Sequence, residues 1–517
     1  MLEIIKMNRN SLLFPILSKI SYIIDLKTES DLSSSRRFIQ DIIRYAPSKF
    51  LPAAMSLLWS YVFTRVFLPE EYGIYGLCIS IVGPLVTIFT EWAAQPIGRF
   101  YAEYSERKLM NVYHAVLKYL ARIVLVIISL VVISAIVYFF FEARKYLFLV
   151  STSALLLFSN CLTNLIIPIL PASLDSKAYN VISIFRPLLR VVFAFSLVYC
   201  FGRNISFLLL AEALSFLILL LPLVSIVNDK LAVNANAGIT VSRCVVYENI
   251  GKFLKYGMPM MAWFFASQLL SVGDRFVIQW FRGSGEVGIY TANYSLISGI
   301  AGLLSSPITL AAFPLIMKLW AMGKKEEVAQ TIKKMTYIYG IISICFLGCA
   351  AVSSKPLIDV LLGSNFKEGY VIVLPVVLGV ILWNASILGH KGMELYNKTY
   401  IMVIYAFIAA LVNLCLNVIF IPKYGYVAAA WTTFASYLVY TALIYLSSGK
   451  FIKWSIPFKA LTPYMLCSFM AIYVCKQINL SSSMATLIVR MVIFFAIYLI
   501  GCIGILLFKH SSKANIN

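Results

Sequence analysis

Charge is scarce in this chain: Asp, Glu, Lys and Arg make up 13% of its 517 residues, against about 25% in a typical water-soluble domain. Histidine is scarcer still. His114, His390 and His510 are the only three, they stand far apart, and they offer no cluster for a metal or for a His-based triad. The ten cysteines contain neither a CxxC pair nor a Cys/His zinc spacing, so free thiols packed as small apolar groups are expected. A Walker-type glycine-rich phosphate loop is missing as well, which argues against ATP hydrolysis by this chain. No enzyme chemistry, cofactor or metal is expected.

Apolar residues are abundant instead, at 61% of positions with a mean hydropathy of +0.88. A helix of roughly 20 apolar residues crosses a hydrocarbon core of about 30 Å. Stretches of this kind fall near 46 to 67, 74 to 95, 119 to 140, 146 to 170, 179 to 201, 204 to 227, 256 to 281, 287 to 315, 335 to 354, 370 to 388, 400 to 421, 424 to 447, 457 to 475 and 484 to 508. Runs such as Ile123 to Tyr138 are apolar on all sides and do not alternate, which excludes a membrane β-barrel. The expected fold is an all-α integral membrane protein with about 14 transmembrane helices.

Acidic residues number 22 against 43 basic ones, and the excess has a topological reading. With a cytoplasmic N-terminus, the inner segments hold 29 Lys and Arg and the outer loops eight, following the positive-inside rule. Both termini are then cytoplasmic. Nucleic-acid binding would need a clustered basic face on a soluble module, and none is present. Ser11 to Ile24 is interrupted by Lys19 and does not read as a cleavable signal peptide.

Glu71-Tyr72-Gly73-Ile74-Tyr75 recurs 215 residues later as Glu286-Val287-Gly288-Ile289-Tyr290, each time between two long apolar segments. Six spans separate the copies, so the halves share one orientation and form parallel repeats about an axis along the membrane normal. The expected organisation is an extension over 1–44, a six-helix bundle over 45–228, a cytoplasmic linker over 229–255, a second six-helix bundle over 256–448, and two last helices with a tail over 449–517. Facing bundles leave a central cavity, and rocking them about it gives alternating access. In each motif the glycine is expected to shape the outer hairpin, with the tyrosine in the interfacial belt, away from substrate.

Six arginines and three acids lie within the spans, where a charge costs roughly 2.5 to 3.5 kcal/mol at the centre and requires a partner, a cavity or an interface. Arg65, Glu91 and Arg122 are close to span ends, and Arg490 reads as a structural pairing. Arg186 and Arg190 share one face of the fifth span, and Glu212 lies at the depth of Arg190 across the Gly202 turn. Either Arg190 and Glu212 neutralise each other, or the arginines form a wall for an anionic headgroup that releases Arg190 from Glu212. Arg186, Arg190, Arg275 and Arg65 are therefore the substrate-binding candidates. Glu212 and Asp274 are the coupling or ion-pair candidates. Asp274 and Arg275 are neighbours that point about 100° apart, so direct pairing is not expected; one faces the cavity and the other meets polar groups such as Asn293. Asn413 and Asn417, four apart, are expected to cross-link helices.

Several stretches resemble a known family. Asp274-Arg275-Phe276-Val277-Ile278, continuing through Gly283 and Glu286 to Tyr294-Ser295, is similar to the seventh-span signature of polysaccharide biosynthesis proteins. These are the Wzx-type flippases of the multidrug, oligosaccharidyl-lipid and polysaccharide exporter superfamily. Asn413 to Ala430, reading NLCLNVIFIPKYGYVAAA, is a second match, with Ala428 where many relatives have glycine. Leu68 to Tyr75 and Gly98-Arg99-Phe100-Tyr101-Ala102-Glu103 are also similar. The resemblance implies a flippase of the bacterial cytoplasmic membrane that carries an undecaprenyl-diphosphate-linked oligosaccharide, such as an O-antigen or capsule repeat unit, to the outer leaflet. Its implied partners are that lipid-linked glycan, membrane lipids, and a glycan polymerase with other polysaccharide assembly proteins. Two other readings stay open: an ion-coupled antiporter of small organic cations, and a nontransporting member of a glycan synthesis complex.

Overall fold

A computed structural model describes residues 47–173, 175–233 and 241–514, and among these only helices and short connections occur. The first bundle comprises α1 (Pro47–Val66), α2 (Pro69–Glu106), α3 (Met110–Glu142), α4 (Leu147–Ile166), the short α5 (Ile169–Ala172), α6 (Ser176–Phe201) and α7 (Ser206–Val233). The second comprises α8 (Arg243–Arg282), α9 (Ser284–Ala321), α10 (Lys325–Leu361), α11 (Val373–Gly389), the short α12 (Lys391–Leu395) and α13 (Thr399–Ser448). Two further helices, α14 (Phe458–Lys476) and α15 (Ser483–Ala514), pack on α10 around Cys349, Val352, Phe494 and Tyr498. The chain is thus a multi-pass, all-α membrane protein with two six-helix bundles and two C-terminal helices.

Among the described residues, ten helical segments are long and apolar enough to cross a membrane by length and composition, and α1, α8 and α9 stand at the other expected passes. The eleventh and twelfth spans are two helices that meet in α13 at Gly425, whose non-helical backbone (φ 60°, ψ −149°) breaks the helix there and turns the chain. Helices α7 and α8 also continue into the expected linker, as far as Val233 and from Arg243. The expected extension over 1–44 lies outside the described residues.

The bundles meet along α2. This helix has 38 residues, about 57 Å at 1.5 Å per residue, and packs on both α8 and α9. Its start is well specified: Pro69 occupies the first turn, where a missing N–H costs nothing, and the Glu71 carboxylate accepts from the Leu68 N–H at 2.9 Å. At the end of the molecule that holds the α1–α2 turn, the two repeated glycines make the contact. A Cβ on Gly73 would lie 2.0 Å from the carbonyl oxygen of Ser284, and one on Gly288 would lie 1.9 Å from that of Pro69. Pro69 and Ser284 are themselves 215 residues apart, so the pseudo-two-fold axis passes between these glycines. At the opposite end, a Cβ on Gly257 would lie 1.9 Å from the carbonyl oxygen of Trp92, and Lys252 Nζ stands 2.9 Å from Glu103 Oε1. The bundles thus touch closely at both ends of the interface.

The connection after α11 is packed inside the second bundle. Trp263 Nε1 donates to the Tyr440 hydroxyl at 3.1 Å, which leaves that hydroxyl's own hydrogen for His390 Nδ1 at 3.0 Å. His390 is thereby the Nε2–H tautomer, with Glu394 Oε1 3.2 Å away. Lys391 Nζ sits 2.5 Å from Glu394 Oε2 and 3.6 Å above the Phe313 ring. Burial on its own would raise the Glu394 pKa, but the Lys391 ammonium and the bond to His390 outweigh it and hold the carboxyl down at about 2.

Two outcomes are expected from these contacts. Gly288→Ala forces α2 and α9 apart and lowers the stability of the detergent-solubilised protein by about 2 kcal/mol. Gly299→Ala, with nothing within 4 Å of the new Cβ, is neutral or stabilising by up to about 1 kcal/mol; thermal unfolding of both variants is the check. The depressed Glu394 pKa adds stability that is fully present above its ordinary value of 4.5 and is lost as pH falls toward about 2. Unfolding measured across that window should show Glu394→Gln with a shallower acid dependence than the wild type.

Candidate functional site: a cation-lined cavity between the bundles

A cavity of about 350 Å³ lies at the bundle interface, with Arg186, Arg190 and Glu212 on the first-bundle side and Arg275, Thr291 and Ser295 on the other. Arg186 and Arg190 stand on α6 on either side of Pro187, and the Gly202 turn brings α7 back antiparallel with Glu212. The Arg190 Nε lies 3.0 Å from Glu212 Oε1. The Tyr75 hydroxyl donates to the same carboxylate oxygen at 2.6 Å and accepts from Arg190 Nη2 at 3.2 Å. Stacking completes the wall: the Arg190 guanidinium lies 3.7 Å from the Trp59 ring centre, and that of Arg186 lies 4.2 Å from Phe216.

Two buried donors on this wall are unused. Arg186 Nε and Arg190 Nε are shielded from solvent and make no hydrogen bond; Arg190 Nε is at ion-pair distance from Glu212 without directing its N–H there, whereas Trp59 Nε1 has the Tyr72 hydroxyl as a partner. Buried N–H groups are normally satisfied, and both of these belong to residues that line the cavity. Among the described residues Arg186 has no carboxylate partner. With Arg190 matched by Glu212 and Arg275 by Asp274, the wall carries a surplus of one positive charge.

The second bundle builds a related cluster by other means. Asp274 is fully buried behind the cavity wall, and Arg275 lines the cavity. Contrary to the helical-angle expectation, the two do touch. Arg275 folds back one turn to donate to the Ser271 carbonyl at 2.7 Å, which brings its Nη1 to 3.4 Å from Asp274 Oδ1. Asn293 is not their partner; it donates to the Ile289 and Phe366 carbonyls. The Tyr290 hydroxyl donates to Asp274 Oδ2, and Thr433 Oγ1 lies 3.4 Å from the same oxygen. Asn413 donates toward Thr433 at 3.4 Å, Asn417 donates to Asn413 at 2.9 Å, and Thr432 donates to Asn417. The asparagine pair thus joins both halves of α13 to the Asp274 site.

The motif tyrosines require a correction. Tyr75 and Tyr290, expected in the interfacial belt, are 5% and 0% exposed, and Tyr75 lines the cavity. The belt reading placed them by nearness to a span end, but the bundle interface buries that end. The motif glutamates stay near the turns. Glu71 pairs with Arg203 at 2.6 Å, while Glu286 pairs with Arg282 at 2.7 Å and accepts from the Tyr426 N–H at 3.0 Å. Each glutamate ties the start of the motif helix to the turn between the last two passes of its own bundle.

Arg65 does not line the central cavity. It is exposed, donates to the Val360 and Leu361 carbonyls at the end of α10, and borders a separate recess of about 160 Å³ with Arg203. An arginine one turn from a helix end reaches the terminal carbonyls of the next bundle more readily than the bilayer centre. Arg490 is satisfied by the Ile478 and Val352 carbonyls and by Asn479. Trp59, Tyr72, Phe216 and Thr433 were not singled out as site residues from the sequence, although Trp59 and Ser60 stand at the positions equivalent to Asp274 and Arg275. The legible signal for the tyrosines was their recurrence at a fixed distance from the glycine.

Residues 38–320, more than half of the chain, match the family model described as polysaccharide biosynthesis protein. The chain is 23% identical over 403 residues to the uncharacterized membrane protein MJ1068 of Methanocaldococcus jannaschii, covering 77% of this chain and 71% of that protein. Its fold is similar to that of the lipid II flippase MurJ in an inward closed conformation, with a TM-score of 0.69 at 16% identity, covering 89% of this chain and 98% of MurJ. It is also similar to an inward-facing multidrug resistance MATE family transporter of the MOP superfamily, with a TM-score of 0.53 at 12% identity, covering 84% and 96%. The chain therefore belongs to the polysaccharide biosynthesis protein family, and its fold is that of the multidrug, oligosaccharidyl-lipid and polysaccharide exporters.

Proposed function

We propose that this protein carries an undecaprenyl-diphosphate-linked oligosaccharide, such as an O-antigen or capsule repeat unit, from the inner to the outer leaflet of a bacterial cytoplasmic membrane. The carrying observation is the uncompensated positive charge of Arg186 on the cavity wall, where its Nε and that of Arg190 make no hydrogen bond. A diphosphate supplies many acceptor oxygens and negative charge, and guanidinium groups bind such oxygens in pairs. Arg186 makes the first contact, and the phosphate then competes with Glu212 for Arg190. A cavity of about 350 Å³ is at the small end for a ligand site, so it suits a headgroup and not a chain of sugars. The glycan passes when one end of the interface opens.

On this reading the basic segments and both termini are cytoplasmic, and the α1–α2 turn is at the outer face. Glu212 and Asp274 are the groups through which an ion gradient would act. Likeness to MATE transporters keeps small-cation export as the second reading. An organic cation would favour an uncovered carboxylate, whereas Glu212 and Asp274 are each covered by a tyrosine and an arginine.

Transport is measured in proteoliposomes with a fluorescent undecaprenyl-diphosphate-linked sugar. Arg186→Ala and Arg190→Ala are each expected to slow it tenfold or more, since a charge-assisted hydrogen bond contributes about 1.5–3 kcal/mol. Unchanged transport by both variants, with wild-type thermal stability, would reject the anionic-cargo reading. In the same assay, dependence on an imposed ion gradient that survives in Asp274→Asn and Glu212→Gln would remove these two acids as coupling sites.

A further inference from the structure

The duplicated motif performs the same pair of tasks in both bundles. In each copy the glycine faces the other bundle: Gly73 lies against the Ser284 carbonyl and Gly288 against the Pro69 carbonyl. The tyrosine two residues later lies about 200° around the helix, inside its own bundle. There it donates to a buried carboxylate, Tyr75 to Glu212 at 2.6 Å and Tyr290 to Asp274. Each carboxylate in turn contacts an arginine that lines the cavity, Arg190 at 3.0 Å and Arg275 at 3.4 Å.

The acids are not products of the duplication. Glu212 sits on α7, the last helix of its bundle, and Asp274 on α8, the first helix of the other. Two unrelated positions have therefore each placed an acid against the same motif tyrosine. A scaffold residue needs no such partner twice.

The geometry points to Tyr75 and Tyr290 as positioning residues that tie the aim of the cavity arginines to closure of the outer end. This inference rests on the anionic-cargo reading of the cavity and on its orientation. With the outer end shut, the glycine contacts fix the first turns of α2 and α9, and the tyrosines hold Glu212 and Asp274 in place. The arginines then face the cavity from opposite sides. When the bundles part at the outer end, those first turns lose their backing. Pro84 removes a backbone hydrogen bond inside α2, so the segment before it can shift without the rest of the helix. The tyrosine–carboxylate bonds loosen, Glu212 and Asp274 are left with Arg190 and Arg275 as their sole partners and draw them off the cargo, and the cargo is released on the side where it leaves.

The test uses the full-length chain with its cysteines replaced and spin labels at Lys145 and Lys423, exposed positions in the first and second bundles. Tyr75→Phe and Tyr290→Phe are each expected to shift the label-to-label distribution toward longer distances by a several-fold change in population. Tyr75→Phe should add nothing in a Glu212→Leu background, where the acceptor is gone. Inorganic pyrophosphate should favour the short distance in the wild type and bind the tyrosine variants about tenfold more weakly, an effect on cargo affinity that a purely structural hydroxyl would not produce. Unchanged distances in both tyrosine variants, or additive effects with Glu212→Leu, would overturn the coupling. Should pyrophosphate fail to bind the wild type while the tyrosine variants still open the outer end, the coupling stands and the anionic-cargo reading falls.

Discussion

Gly73 and Gly288 bring two helix backbones together at a distance that no side chain permits, and the placement of the cavity follows from that contact. Each glycine sits where a Cβ would overlap a carbonyl oxygen of the other bundle. Close packing of this kind draws on dispersion and on excluded water, and it needs no charge in a medium where charge is costly. Because the two contacts are related by the internal repeat, they set the axis about which the bundles face each other. The polar residues below it, Tyr75 and Gly76 on one side and Thr291 on the other, are thereby aligned across one small space.

That space resolves the electrostatic problem of arginines in a membrane only in part. Arg190 and Arg275 are balanced by Glu212 and Asp274, and both are supported by tyrosine hydroxyls or ring faces. Arg186 receives a ring face from Phe216 and, among the described residues, no acid. Leaving such a cation unmatched costs stability, which sets Arg186 apart from the other two. The other end of the interface repeats the device, with Gly257 against the Trp92 carbonyl, and adds the Glu103–Lys252 ion pair, whose members are 31% and 42% exposed. An exposed pair is weak and open to water, so the glycine contact is the firmer of the two.

The hydrophobic pattern made the membrane class and the number of passes legible, because a spanning helix must satisfy its backbone internally and show about 20 apolar residues, and the recurring motif added the parallel duplication. Arg186, Arg190 and Glu212 were legible too, since helical spacing and depth from a turn locate charges along a hairpin. Depth is not direction, however. Arg65 had the same composition signal as the others, yet it turned to the carbonyls ending α10. Asp274 and Arg275 met because a long guanidinium folds back by one turn, a rotamer choice made by the surrounding Ser271, Thr291 and Tyr290.

The sequence by itself determined that Glu71 to Tyr75 and Glu286 to Tyr290 are copies and that each opens a pass next to a turn between spans. Only the tertiary structure decided what those copies do. Burial of a residue near a span end depends on whether lipid or another bundle covers it, and one-dimensional hydropathy treats the two alike. Once α2 and α9 cross at their glycines, the tyrosines cannot face the bilayer surface. They turn inward, and their hydroxyls take the buried carboxylates as the acceptors within reach.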